Sequence, residues 1–157
     1  MACAGGGLSD RRARLRDERI LVVEDEPLVS MLVEDELRGA GAEVLGPVPT
    51  VRDALRLVEA AAADGGISAA VLDINLDGQR VAPVADRLAA LGVPFVFATG
   101  YGETCDTGGH ADARVLRKPF SPRTLIDAVE ALASAGEHRR APRGAVSRRD
   151  RGSGDHR

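Results

Sequence analysis

Glu24-Asp25-Glu26, Asp73, Thr99-Gly100 and Lys118-Pro119 each stand at or just beyond the end of a short apolar run. Carboxylates brought together repel one another, and a cation that neutralises them removes that cost. A few hard oxygen donors suit Mg²⁺, which keeps waters of its own and takes a phosphate oxygen besides. Phosphoryl transfer needs a carboxylate that attacks and a metal that draws charge from the transferring oxygens. It also needs a hydroxyl and an ammonium to hold the remaining oxygens. Taken singly, each residue has a plainer explanation: acids often open helices, where the dipole favours them, and a lone Thr or Lys is usually a cap or a solvated charge. The four together carry the chemical reading.

Such residues meet only if the runs before them lie side by side. Ile20-Leu21-Val22-Val23, Ala69-Ala70-Val71-Leu72, Phe95-Val96-Phe97-Ala98 and Val115-Leu116 are continuously apolar, and Glu43-Val44-Leu45 is a weaker fifth. Continuous rather than alternating hydrophobicity predicts strands buried on both faces, as in a parallel sheet. Helical patterns separate them. Pro27 suits a first helical turn; Leu28, Met31, Leu32 and Leu37 follow at helical spacing, and Gly39 and Gly41 end the helix. Thr50 and Asp53 resemble a capping pair ahead of Ala54, Leu55, Leu57 and Val58. Val81, Val84, Ala85 and Leu88 predict a third helix. Ser121 caps the last, which carries Leu125, Ile126, Val129 and Leu132. Only a short, poorly formed fourth helix is expected within the Gly-rich residues 100–113. Five strands alternating with five helices predict an α/β, doubly wound, five-stranded parallel sheet of the flavodoxin-like class. Ligands of such sheets sit outside the carboxyl ends of the strands.

The 157 residues suggest one domain, and 44% hydrophobic content with 3% aromatic predicts a core of Ala, Val and Leu. Residues 1–18 lack an apolar period and are expected to form a flexible lead-in, with a short helix possible at 10–19. Residues 136–157 offer almost nothing to bury and are expected to be disordered. The folded unit is then 19–135. Of the net charge of -3, residues 1–19 hold five Arg against three acids, and 136–157 hold seven Arg against three acids. The acidic middle argues against a nucleic-acid-binding core. The two cysteines make no disulfide framework, which predicts a reducing compartment. No run is long enough for a membrane span, and no signal peptide is visible.

The stretches "ILVVEDEP", "AAVLDINLDG", "PFVFATGYGE" and "VLRKPF", in that order, resemble the receiver domain of two-component response regulators over roughly 19–135. The resemblance implies a (βα)5 receiver fold and a role for each matching residue. Asp73 would be the nucleophile that becomes an aspartyl phosphate. Asp25 would be the main metal-ligating acid, with Glu24 orienting metal or water, and the backbone carbonyl of Asn75 would be a third ligand of Mg²⁺ beside Asp73. Thr99 would donate to a phosphoryl oxygen, and Lys118 would pair with Asp73 and later with the phosphate. The Lys118–Pro119 bond would be cis, aiming the lysine. Gly100 would keep space for the donor. Tyr101 would shield the acyl phosphate from water, giving slow self-dephosphorylation.

The chain departs from the common receiver pattern at two places. Val115 stands where most receivers carry an aromatic switch residue, and Ile74-Asn75-Leu76-Asp77-Gly78 replaces the usual Met-Pro after the nucleophile. The "FATGY" string is similar to a subgroup of single-domain receivers associated with alphaproteobacteria, whose partners are often HWE or HisKA2 histidine kinases. The implied function is a bacterial, cytoplasmic phosphoacceptor rather than a turnover enzyme. It would be served by a histidine kinase or histidine phosphotransfer protein and would act on an unknown downstream protein. No DNA-binding output domain and no membrane contact are expected. The alternatives are a phosphorylation-independent interaction module of the same fold, and a flavodoxin-like cofactor carrier. Glu24-Asp25-Glu26 would repel a cofactor phosphate in the latter. Cys105 and His110 lack the further ligands a zinc site needs.

Overall fold

The computed structural model describes residues 13–100 and 107–139, with side chains to residue 136. Its elements are β1 (Arg19–Val23), α1 (Pro27–Gly39), β2 (Glu43–Val48), α2 (Val51–Ala63), β3 (Ala69–Asp73), β4 (Asn75–Leu76), β5 (Gln79–Arg80), α3 (Ala82–Ala90), β6 (Phe95–Thr99), β7 (Val115–Arg117) and α4 (Pro122–Arg139). Five strands form one sheet in the order β2-β1-β3-β6-β7, and every neighbouring pair is parallel. This is the doubly wound arrangement expected, with four helices among the described residues.

Successive residues of a strand point to opposite faces, so a strand covered on both sides must be apolar throughout. Leu21, Val23, Leu72 and Phe97 pack with Ala54 and Val58 of α2 and Val84 and Leu88 of α3. Ile20, Val22, Val71 and Val96 pack with Val33 and Leu37 of α1 and Leu125 and Val129 of α4. Two of the expected caps form: Thr50 Oγ1 accepts from the Asp53 amide at 3.1 Å, and Ser121 Oγ accepts from the Thr124 amide at 3.1 Å. The strand order reverses between β1 and β3, which opens a crevice at their carboxyl ends.

Four local expectations need correction. In α1, Leu28, Met31 and Leu32 are 77%, 60% and 65% exposed. The buried residues are Val33 and Leu37, with Val29 partly covered. Two stripes of this helix have apolar spacing, and the sheet and α4 cover the second. The helix expected at 10–19 is absent over its described part: residues 13–17 form turns and Arg19 already opens β1. Leu15 in those turns is fully buried. Its amide donates to the Ala40 carbonyl at 2.9 Å, and Arg14 pairs with Asp127 at 2.6 Å and with Glu130. The lead-in is thus tied down from residue 14, because Leu15 fills a gap between the end of α1 and α4. At the other end, α4 continues past residue 135 to Arg139. Between β6 and β7 residues 107–113 form turns, and residues 101–106 of the segment expected to hold a short helix lie outside the described residues.

Leu15 belongs to the same buried cluster as Leu37, Ala40 and Val129, beside a chain segment tied to Ala40 and to α4, so truncating it leaves a cavity where three segments meet. Leu15→Ala is expected to cost about 2–5 kcal/mol, read as a lower urea midpoint with an unchanged slope.

Candidate functional site

Each of the four clusters lies at the carboxyl edge of the sheet. β1 ends at Val23, placing Glu24 and Asp25 beyond it; β3 ends on Asp73 itself, and β6 on Thr99. Glu24, Asp73 and Thr99 are 5%, 3% and 0% exposed, the only buried polar or charged side chains among the described residues. β7 ends at Arg117, and the cis bond between Lys118 and Pro119 follows. The Lys118 amide donates to the Thr99 carbonyl at 2.8 Å, tying this turn to the end of β6.

Lys118 reaches back across the sheet. Its Nζ stands 3.2 Å from Asp73 Oδ2, 2.9 Å from Glu24 Oε2 and 3.9 Å from Glu26 Oε2. The amine is therefore shared by two buried carboxylates. Glu24 is further held by the Glu26 amide, 3.2 Å from Oε1. The other oxygen of Asp73 accepts from the Asn75 amide at 3.2 Å.

Carboxylate oxygens of Glu24, Asp25 and Asp73 come within 4.8 Å of one another. Three hard donors at that spacing, one partly exposed, fit a metal that takes oxygen ligands. Burial, together with the hydrogen bond and negative charge of Glu24, pushes the Asp73 carboxyl up to about 8, although Lys118 and the Asn75 amide oppose the rise. Burial also works against the Lys118 charge. The hydrogen bond and charge of Glu24, with Asp73, overcome it and leave the amine above its ordinary value.

The residues after Asp73 form a tight hairpin, Asn75 pairing with Arg80 and Leu76 with Gln79. Asp77 and Gly78 both have positive φ, 50° and 84°, as a two-residue hairpin turn requires. Asn75 Oδ1 accepts from the Gly78 amide at 2.8 Å and braces the turn. The Asp-Gly pair was the available signal for this hairpin, which the sequence reading noted only as a departure. Gly100 lines the same cavity of about 760 Å³ as Asp25, Asp73, Asn75 and Lys118. The cavity continues past the acids onto Leu32 and Phe120, an apolar half that sequence reasoning missed. Val115 is half-buried and pairs with Phe97. Tyr101 and Cys105 lie outside the described residues.

No family model matches the chain. It is 37% identical over 109 residues to the phyllosphere-induced regulator PhyR of Methylorubrum extorquens, covering 68% of this chain and 40% of PhyR. It is 36% identical over 147 residues to the transcriptional regulatory protein TcrA of Mycobacterium tuberculosis, covering 88% of this chain and 55% of TcrA. The chain thus spans about half the length of these curated relatives. Among solved structures, SdrG of Sphingomonas melonis Fr1 is 46% identical, with a TM-score of 0.64 over 73% of this chain and 95% of SdrG. A response regulator receiver protein of Sinorhizobium medicae is 27% identical, with a TM-score of 0.63 over 76% of this chain and 96% of its own. Fold, strand-end chemistry and these likenesses agree: the chain belongs to the response regulator receiver domains of two-component signalling.

Proposed function

We infer that the chain accepts a phosphoryl group on Asp73 from the phosphohistidine of a histidine kinase or a histidine phosphotransfer protein. An Asp73 oxygen attacks phosphorus, the bond from phosphorus to the donor imidazole nitrogen breaks, and the imidazole leaves with the electron pair and takes a proton. Glu24, Asp25, Asp73 and the Asn75 carbonyl would hold Mg²⁺, which supplies charge neutralisation on the transferring oxygens. Lys118 holds the carboxylate of Asp73 in the resting protein and takes a phosphoryl oxygen afterwards. The Thr99 hydroxyl takes another, Gly100 leaves room for the donor, and Pro119 sets the direction of the lysine. Tyr101 slows attack by water. Val115 leaves the usual aromatic switch without its ring. The chain works in the bacterial cytoplasm as a signalling acceptor rather than a turnover enzyme, and hands its signal to a downstream protein by contact or by onward phosphotransfer.

The observation that carries this reading is the 3.2 Å contact between Lys118 Nζ and Asp73 Oδ2, beside acids spaced for a metal. Incubation with acetyl phosphate and Mg²⁺, followed by intact-mass measurement, tests it. A gain of one phosphoryl group is expected in the wild-type chain and none in Asp73→Asn. A wild-type mass unchanged by acetyl phosphate and by phosphorylated histidine kinases would refute the reading and leave a phosphorylation-independent module.

A further inference from the structure

Among the described residues His110 lacks the partners a zinc site needs, yet the structure gives it a defined place. Its Nε2 lies 2.7 Å from Asp86 Oδ1 on α3, and the His110 side chain is only 19% exposed against 68% for Asp86. A ring N–H donating to a carboxylate is a strong, directional contact. The imidazole also meets the ring of Phe95 edge-on, centroids 5.1 Å apart, and Phe95 meets Phe97 in the same manner at 5.3 Å. Two residues earlier, a Cβ at Gly108 would stand 3.4 Å from the Ala82 side chain. Ala82 and Asp86 are four apart on one helix and so share a face. Residues 108–110 therefore lie along α3 at two points one turn apart, and the imidazole fills the angle between α3 and β6.

The position of this contact gives it consequence. α3 begins two residues after the hairpin that carries Asn75, Asp77 and Gly78. Residues 107–113 belong to the connection that leaves β6 at Thr99 and returns as β7 toward Lys118. Phe95, Phe97 and Thr99 alternate along β6 and point to one face. His110 thus stands between the helix that follows the Asp73 hairpin and the segment that leads through β7 to Lys118.

We propose that His110 is a positioning residue. Through Asp86 and Phe95 it latches residues 107–113, which lead into β7, onto α3, and so holds the Lys118 side of the pocket in register with the Asp73 side. The kinetic part of the proposal rests on phosphoryl acceptance at Asp73; the structural part does not.

The test uses the full chain with Mg²⁺ and the variants His110→Ala, His110→Gln, Asp86→Ala and the double alanine. Before any phosphodonor is added, amide exchange is followed at Ala113, whose amide bonds the His110 carbonyl, and at Lys118, whose amide bonds the Thr99 carbonyl. Both amides should exchange about tenfold faster in either alanine variant, with no further gain in the double variant, as expected of one shared contact. His110→Gln, which keeps a donor, should restore slow exchange, and amides of α2 should not change. With acetyl phosphate, the rate of phosphoryl gain should fall about threefold or more in both alanine variants and recover in His110→Gln. An unchanged Lys118 amide in His110→Ala overturns the latch, and a normal rate of phosphoryl gain in a variant whose Lys118 amide has loosened overturns its kinetic part. If the Lys118 amide loosens while even the wild-type chain gains no phosphoryl group, the latch stands and the phosphoacceptor reading falls.

Discussion

Mg²⁺, the metal proposed for the Glu24, Asp25 and Asp73 cluster, is expected to bind more tightly at pH 8 than at pH 6, by about 50-fold in the limit where a single proton competes with the metal. The competing proton is on Asp73. Burial and the neighbouring Glu24 push that carboxyl up to about 8, so at pH 6 the metal-free protein holds it protonated. A metal that needs the carboxylate must displace the proton, and below the folded pKa each pH unit then changes apparent affinity about tenfold. Above pH 8 the dependence flattens. Calorimetric titration in buffers of different ionisation enthalpy should show about one proton released per Mg²⁺ at pH 6 and markedly less at pH 9. An affinity constant from pH 6 to pH 9 would contradict this protonation state. The same shift sets the sign of the stability profile without metal. A carboxyl whose folded pKa is raised contributes stability that is fully present below its unfolded pKa near 4 and is lost as pH rises through about 8. The metal-free fold should weaken across that window, and saturating Mg²⁺ should remove most of the slope.

Lys118→Met lowers stability at pH 8 by about 3 kcal/mol or more, within the range for stripping a buried ion pair of one partner. Methionine keeps the apolar stem, so the loss isolates the ammonium. That group is 14% exposed and stands 2.9 Å from Glu24 and 3.2 Å from Asp73, each with a side chain 4% exposed. Without it, Glu24 loses its buried counter-ion and Asp73 loses the cation that opposes its raised pKa. The deficit should shrink at pH 5, where Asp73 is protonated in the wild-type chain as well. It should shrink at pH 8 on adding Mg²⁺, which replaces the missing charge. Urea denaturation at the two pH values, with and without Mg²⁺, measures all three effects. An unchanged midpoint at pH 8 without metal would mean that the carboxylates are relieved by water instead, and that Lys118 does not hold the pocket together.

Much of this architecture is written in local pattern. Strands buried on both faces must be apolar at every position, so Ile20-Leu21-Val22-Val23 and Phe95-Val96-Phe97-Ala98 could be assigned without knowing their neighbours. Thr50 and Ser121 cap helices through bonds three residues long, and such bonds depend on spacing alone. Because a parallel sheet brings its carboxyl ends to one edge, the meeting of Asp73, Thr99 and Lys118 at one rim could also be read in one dimension.

What needed three dimensions were choices between locally equivalent options. Leu28, Met31 and Leu32 have the spacing of a buried stripe as good as that of Val29, Val33 and Leu37, and only the sheet and α4 decide which is covered. Leu15 is one apolar residue in a polar stretch, and nothing near it in the chain predicts that α1 and α4 leave a gap of its size. Glu24 was expected to serve the metal. The fold also assigns it to Lys118, 94 residues away, and that shared amine is the contact that links β1, β3 and β7. His110 and Asp86 are 24 residues apart, on elements with no common pattern. Periodicity registers the few residues within a turn or a strand. Contacts such as these come from the packing of whole elements, which no local window contains.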